Sequence, residues 1–275
     1  TNRQTDRQTD RQIDRHRQTQ TYRDRQTDIH TDRQRQTIDN IKITIVPEAI
    51  TKNTAALLVE PIQGEAGIVI PDSNWLPEAR KVCTENNVLL ILDEIQSGLG
   101  RTGKMFAFEH SSIRPDGLIL GKALGGGLLP ISCFLSTKEV MQWFVPGSHG
   151  STFGGFPLAA AIGKRSLELI EEEKLVENSK QQGSYLLEEL KKIQSPIIKQ
   201  IRGKGLWIGV EIDTKIINGR KMSERLLRKG ILSKETHASI IRFAPPLIIE
   251  KKEIDWAVHT FKETLKEIEE NQIHQ

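Results

Sequence analysis

Val88-Leu89-Leu90-Ile91-Leu92-Asp93-Glu94-Ile95-Gln96-Ser97-Gly98-Leu99-Gly100-Arg101-Thr102-Gly103 decides the fold. Its first five residues are a continuous apolar run. Such a run, too short for a helix and bounded by polar and turn residues, reads as a parallel strand buried on both faces. Asp93 and Glu94 end it, and in open α/β sheets ligands gather at the carboxyl ends of strands. A carboxylate there can cap a helix, bind a metal or pair with a cationic ring nitrogen. Gly98-x-Gly100-x-x-Gly103 matches a dinucleotide-binding fingerprint in letters, but the first glycine comes too late after the strand. The segment Lys104–His110 does not continue as a long helix either, so a nicotinamide-dependent oxidoreductase ranks last.

Around this stretch, strand-like and helix-like segments alternate. Ala55–Glu60, Gly117–Leu120 and Ile131–Leu135 read as further strands, and Leu76–Asn87 has helical spacing. Pro157 opens a long helix, as proline does in a first helical turn. A second helix spans about Ser179–Ile193. Beyond Ser195-Pro196 come strand-like runs at Ile197–Ile201, Leu206–Ile212 and Ile240–Phe243, with helical stretches at Met222–Lys229 and Lys252–Glu269. The pattern implies part of an α/β domain over 41–155, then a linking helix and a smaller α+β domain over 156–275.

Residues 1–40 differ in kind. They hold nine Arg and seven Asp but no Lys, Glu or Gly, and cycle through Thr-Asp-Arg-Gln. With no apolar face they cannot offset the entropy of ordering, so a disordered low-complexity tail is expected. The repeat also matches a tetranucleotide, ACAG, which encodes the same cyclic peptide in every forward frame. The other 235 residues carry 30 Lys and Arg against 29 Asp and Glu, which gives no support to nucleic-acid binding by the body. No apolar run is long enough for a membrane span. Cys83 and Cys133 are too few for a disulfide framework or a zinc site, and no HExxH or clustered His/Cys set supports a metal centre. The chain begins with Thr1, which reads as a fragment or a processed product.

Two further stretches could carry chemistry. Lys122 follows a buried-looking strand amid Gly121 and Gly125-Gly126-Gly127. Glycines let backbone approach a ligand closely, and desolvation would favour the neutral amine used in covalent catalysis. The alternative is a solvated turn lysine. Ala123 stands where a P-loop needs a magnesium-binding hydroxyl, which argues against nucleotide hydrolysis. Gly147–Leu158 sets hydroxyls and glycines before a helix, suiting an anion such as phosphate, or simply a helix entry.

Together these stretches resemble the class III aminotransferases, fold-type I enzymes that use pyridoxal 5′-phosphate (PLP). The resemblance runs from about residue 54 to about 268. It rests on V-E-P-I-Q-G-E-A-G at 59–67, D-E-I-Q-S-G-L-G-R-T-G at 93–103, G-K-A-L-G-G-G at 121–127 and G-S-H-G-S-T-F-G-G at 147–155. Within the family, K-E-T-H-x-x-I-I-R-F-A-P-P-L at 234–247 is similar to the ornithine aminotransferases. Acetylornithine and 4-aminobutyrate aminotransferases are near relatives.

The resemblance implies a partial large domain plus a C-terminal small domain, and a set of roles. Lys122 would bond covalently to PLP and shuttle a proton. Asp93 would pair with the pyridine nitrogen, and Gln96 would lie near the phenolic oxygen. Thr152, with Ser151, would reach the phosphate across a homodimer. Arg242 would hold a substrate carboxylate, and Glu65 would pair with an arginine to help distinguish ornithine from 2-oxoglutarate. The resemblance places that arginine, with the aromatic that stacks on PLP, in the family's N-terminal segment, where this chain has its repeat. Phe156 replaces an asparagine that would cap the following helix. Ornithine and 2-oxoglutarate are the implied substrates, and no nucleic-acid or membrane partner is implied. The mitochondrial matrix is the expected location, with the cytoplasm as the alternative. A truncated product that does not catalyse is the second reading of the chain.

Overall fold

A computed structural model describes residues 50–273, which belong to one compact unit. The repeat tract and the tail expected there lie outside the described residues.

Two four-stranded sheets organise the chain. In the first, β1 (Ala56–Val59), β2 (Leu89–Asp93) and β3 (Gly117–Leu120) run parallel, and β4 (Cys133–Ser136) closes the order β1-β2-β3-β4 as an antiparallel neighbour. Helix α1 (Trp75–Glu85) makes the crossover that a parallel β1–β2 pair requires. It packs Trp75, Leu76, Ala79 and Cys83 inward. Asp116 ties this layer together: its carboxylate accepts from the Leu90 amide (2.7 Å) and from Arg80 of α1 (2.5 Å). A short helix, α2 (Lys138–Met141), follows β4.

Two long helices lead to the second sheet, α3 (Pro157–Glu172) and α4 (Leu175–Lys191). Phe156 stands at the start of α3 and makes no side-chain capping bond, so the helix relies on Pro157 in its first turn. The second sheet comprises β5 (Ile198–Gly203), β6 (Ile208–Ile212), β7 (Lys234–Thr236) and β8 (Ile240–Phe243) in the order β5-β6-β8-β7, all antiparallel. Helices α5 (Gly219–Arg228) and α6 (Lys251–Ile273) complete this half. The Asn218 side chain caps α5 through the Lys221 amide. The main core lies here: Ile208, Val210 and Ile212 of β6 meet Leu186 and Leu190 of α4, Met222 and Leu226 of α5, and Ile254, Phe261 and Leu265 of α6.

Because side chains alternate along a strand, the other face of β6 needs its own cover. The turn at 64–69 supplies it. A Cβ on Gly209 would lie 3.1 Å from the Gly67 carbonyl oxygen and near Ile68. β7 is a strand that the hydropathy pattern does not reveal, since Lys-Glu-Thr carries no apolar residue.

Candidate active site

Strand alternation decides what happens at the end of β2. Leu90 and Leu92 point into the core, and the same face continues to Glu94, which is 1% exposed. Its carboxylate accepts from the amides of Ala107 (2.6 Å) and Phe108 (2.9 Å) and from the Ser97 hydroxyl (3.3 Å). Burial pushes its carboxyl up to about 7, against the pull of those donors. Asp93 therefore takes the opposite face, half-buried, where its Oδ1 accepts from the Ile95 amide at 3.0 Å.

Lys122 sits beyond the end of β3, the parallel neighbour in which Ile119 is the register partner of Asp93. Its φ of 45° is left-handed, a conformation that costs a non-glycine residue about 1–3 kcal/mol and clusters at functional sites. The residue is exposed rather than desolvated, and its amine has no hydrogen-bond or ion-pair partner among the described residues. It lines a cavity of about 1080 Å³ together with Ile95, Gly121, His149, Ser151 and Phe156. Ile95 thus links the two strand ends, contacting Asp93 through its amide and the cavity through its side chain. Thr152 is exposed and Asp93 and Gln96 are half-buried, and none of the three lines the cavity.

A second cluster forms where the 64–69 turn meets β8. Arg242 donates to Glu65 Oε1 (3.1 Å) and to Gln96 Oε1 (3.3 Å). Lys234 of β7, the register partner of Arg242, donates to Glu65 Oε2 at 3.1 Å. These cations hold the Glu65 carboxyl below the usual range, with the Lys234 hydrogen bond the strongest influence. The resemblance places the arginine for Glu65 in the N-terminal segment; among the described residues, the arginine that Glu65 meets is Arg242. The reason is topological, since β6 carries both the 64–69 turn on its outer face and β8 at its edge.

The turn bearing Glu65 is firmly held. Gln63 and Val69 bridge, Gly67 and Ile68 both adopt positive φ, and Arg202 donates to the carbonyl oxygens of Gly67 (2.9 Å) and Ile68 (3.1 Å). Arg202 in turn pairs with Glu211 at 2.8 Å. Arg101, from the glycine-rich stretch, reaches the carbonyls of Leu206 (2.9 Å) and Pro245 (2.6 Å). Burial lowers its pKa to about 10. Gly98, Gly100 and Gly103 lie in turns against Glu94, Leu247 and Lys180, and the first turn of α4 at Val176 packs beside Gly100. The segment after Gly103 leads into the short helical turn Ala107–Ser111, not into the long helix that a dinucleotide fingerprint opens.

Sequence reasoning missed Lys234, Arg202 and Arg101. Lys234 could have been found from the eight-residue spacing to Arg242, had the hairpin at 236–240 been recognised. The other two act through backbone carbonyls of distant segments, which leave no local signal.

The chain matches the model of the family described as Aminotransferase class-III over residues 7–265, reaching into the repeat tract. It is 57% identical over 219 residues to the ornithine aminotransferase of Bacillus subtilis (strain 168), covering 80% of this chain and 54% of that protein. It is 52% identical over 223 residues to the ornithine aminotransferase of Brevibacillus brevis, covering 81% of this chain and 55% of that protein. The chain thus spans about half the length of the curated relatives it matches. Among solved structures, the ornithine aminotransferase from Toxoplasma gondii, with partial occupancy of PLP at its active site, superposes with a TM-score of 0.81 at 40% identity. That match covers 84% of this chain and 55% of the other. An acetylornithine aminotransferase from Elizabethkingia anophelis gives 0.78 at 39% identity, covering 82% and 58%. The expectation of a mitochondrial matrix enzyme is overturned: these sequence relatives are bacterial, which points to the cytoplasmic alternative. The motifs, the fold and the relatives agree, and the chain belongs to the class III aminotransferases, with the fold-type I architecture of PLP-dependent enzymes.

Proposed function

We propose that the chain is part of an ornithine aminotransferase, transferring the δ-amino group of ornithine to 2-oxoglutarate to give glutamate 5-semialdehyde and glutamate. In this reading 41–155 is part of the PLP-binding large domain, and 156–275 holds the linking helix and the small domain. The observation that carries it is Lys122: an amine without a partner among the described residues, on left-handed backbone, opening into a roomy cavity just beyond the strand paired with the one that ends at Asp93.

PLP is the cofactor of the family, and the residues present suit it. The set contains a free amine, an acid and hydroxyls flanked by glycines. Lys122, Asp93, Gln96, Ser151 and Thr152 would hold it. When bound, PLP supplies an electron sink beside the reacting carbon. Lys122 would hold the cofactor through its amine and would carry a proton on Nζ to and from that carbon. Asp93 would hold the ring nitrogen in its protonated form. Ser151 and Thr152 would hold the phosphate of a second copy's cofactor. Arg242 binds a substrate carboxylate through two parallel N–H bonds. Glu65 occupies one of those donors, so an entering carboxylate must displace it. A homodimer is part of the proposal. It is supported by the exposed apolar side chains Leu128, Trp143, Val145, Phe153 and Phe156 close in sequence to the cavity residues.

The test is to add PLP to the chain. A visible absorption band that Lys122→Ala abolishes, with turnover of ornithine and 2-oxoglutarate, is the expected result. The absence of a band overturns the cofactor roles. A band without turnover supports a second reading, a fragment that holds the cofactor but does not catalyse. Preference for acetylornithine would move it to the neighbouring branch.

A further inference from the structure

The Glu65 carboxylate is shared, and the sharing has a direction. Its Oε1 takes Arg242 and its Oε2 takes Lys234, each at 3.1 Å, from adjacent strands in direct register. Lys234 and Glu65 are both more than half exposed, whereas the Arg242 side chain is 19% exposed. The backbone beneath Glu65 is pinned by Arg202, so only the side chain is free to swing. Three charges sum to one positive, enough for one further carboxylate. If Arg242 were the only cation nearby, that carboxylate would leave Glu65 unpaired beside it, two anions on one guanidinium. Lys234 removes that penalty.

We propose that Lys234 is a specificity-determining residue that holds Glu65 aside whenever Arg242 binds the carboxylate of a dicarboxylic substrate. The inference rests on the proposed reading of Arg242 as the carboxylate holder. Lys234 acts on Glu65 and does not touch the ligand. Without it, both oxygens of Glu65 are available to Arg242, and a dicarboxylate competes less well for the guanidinium.

Glutarate, a five-carbon dicarboxylate, is the probe, titrated into the full 275-residue chain and followed by NMR. Glu65→Gln should tighten glutarate and Lys234→Met should weaken it, each by about two- to fivefold, the scale of an exposed ion pair. In the Glu65→Gln background, Lys234→Met should have an effect below about 1.5-fold, because no pair is left to hold open. A loss equally large in both backgrounds would mean that Lys234 attracts the ligand itself and would overturn the proposal. So would an unchanged affinity in Lys234→Met alone. Arg242→Met should abolish binding in every background. Glutarate binding that survives that change, or that is absent even in Glu65→Gln, refutes the Arg242 reading and the proposal together. Amide-shift dispersion shows that each variant is folded.

Discussion

Two buried helical glycines should respond to alanine in opposite directions. Gly163 of α3 and Gly183 of α4 have the same local preference: replacing a helical glycine by alanine gains about 1 kcal/mol from backbone entropy. Their surroundings differ. A Cβ on Gly163 would lie 3.5 Å from Ile131 Cδ1 and 3.5 Å from the Leu124 carbonyl oxygen, ordinary contacts. Gly163→Ala should therefore stabilise the chain by about 0.5–1 kcal/mol. A Cβ on Gly183 would lie 2.6 Å from Gly205 Cα and nearer still to the Gly205 carbonyl. Gly205 has little room to retreat, because a Cβ there would itself stand 2.6 Å from the Arg101 carbonyl oxygen, and its φ of 57° is one that favours glycine. Three backbones are stacked, and no side chain can rotate to make room. Overpacking of this kind costs about 1–3 kcal/mol and more where backbone must move, which outweighs the helical gain. Gly183→Ala should be destabilising by about 1–3 kcal/mol. It should also loosen the bonds from Ser179 to the Arg101 carbonyl and from the Leu206 amide to Ser179. Equilibrium urea unfolding of both variants measures the contrast. A Gly183→Ala chain as stable as the wild type would refute the claim that the glycine-rich stretch and the second sheet meet backbone to backbone.

Two other outcomes follow from the buried polar groups. Arg202→Met strips two carbonyl oxygens and the Glu211 carboxylate of their donor, and should destabilise by about 2–4 kcal/mol in urea, with Glu211→Gln milder. Glu94 should give stability an unusual pH slope. Its folded carboxyl is pushed by burial to about 7, above its ordinary 4.5, so the folded chain keeps a proton that the unfolded chain releases. That contribution is complete below about pH 4.5 and is lost as pH rises to about 7, on the order of 3 kcal/mol in total. Urea midpoints measured across this window should fall with pH in the wild type and be flatter in Glu94→Gln. An equal slope in the two proteins would show that Glu94 titrates normally.

The strands of the first sheet were legible because their residues are apolar with little interruption, although only Leu90 and Leu92 of β2 are fully buried and Leu58 of β1 is 58% exposed. The division of labour at Asp93 and Glu94 was also present in the letters. Alternation from Leu90 through Leu92 puts Glu94 in the core and Asp93 on the opposite face. The second cluster was not legible, because nothing local couples residue 65 to residues 234 and 242. That coupling exists only after β6 accepts the 64–69 turn on one face and β8 at its edge, and after two left-handed residues, His237 and Ala238, turn β7 back along β8. The same contrast separates the two halves of the candidate site. Asp93 ends β2 and Lys122 lies two residues beyond the end of the parallel neighbour β3, a placement that strand topology alone fixes. Glu65, Lys234 and Arg242 instead depend on the docking of the first-sheet segments onto the second sheet through Arg101, Arg202 and Gly205. A change in that docking should reach carboxylate selection before it reaches the lysine.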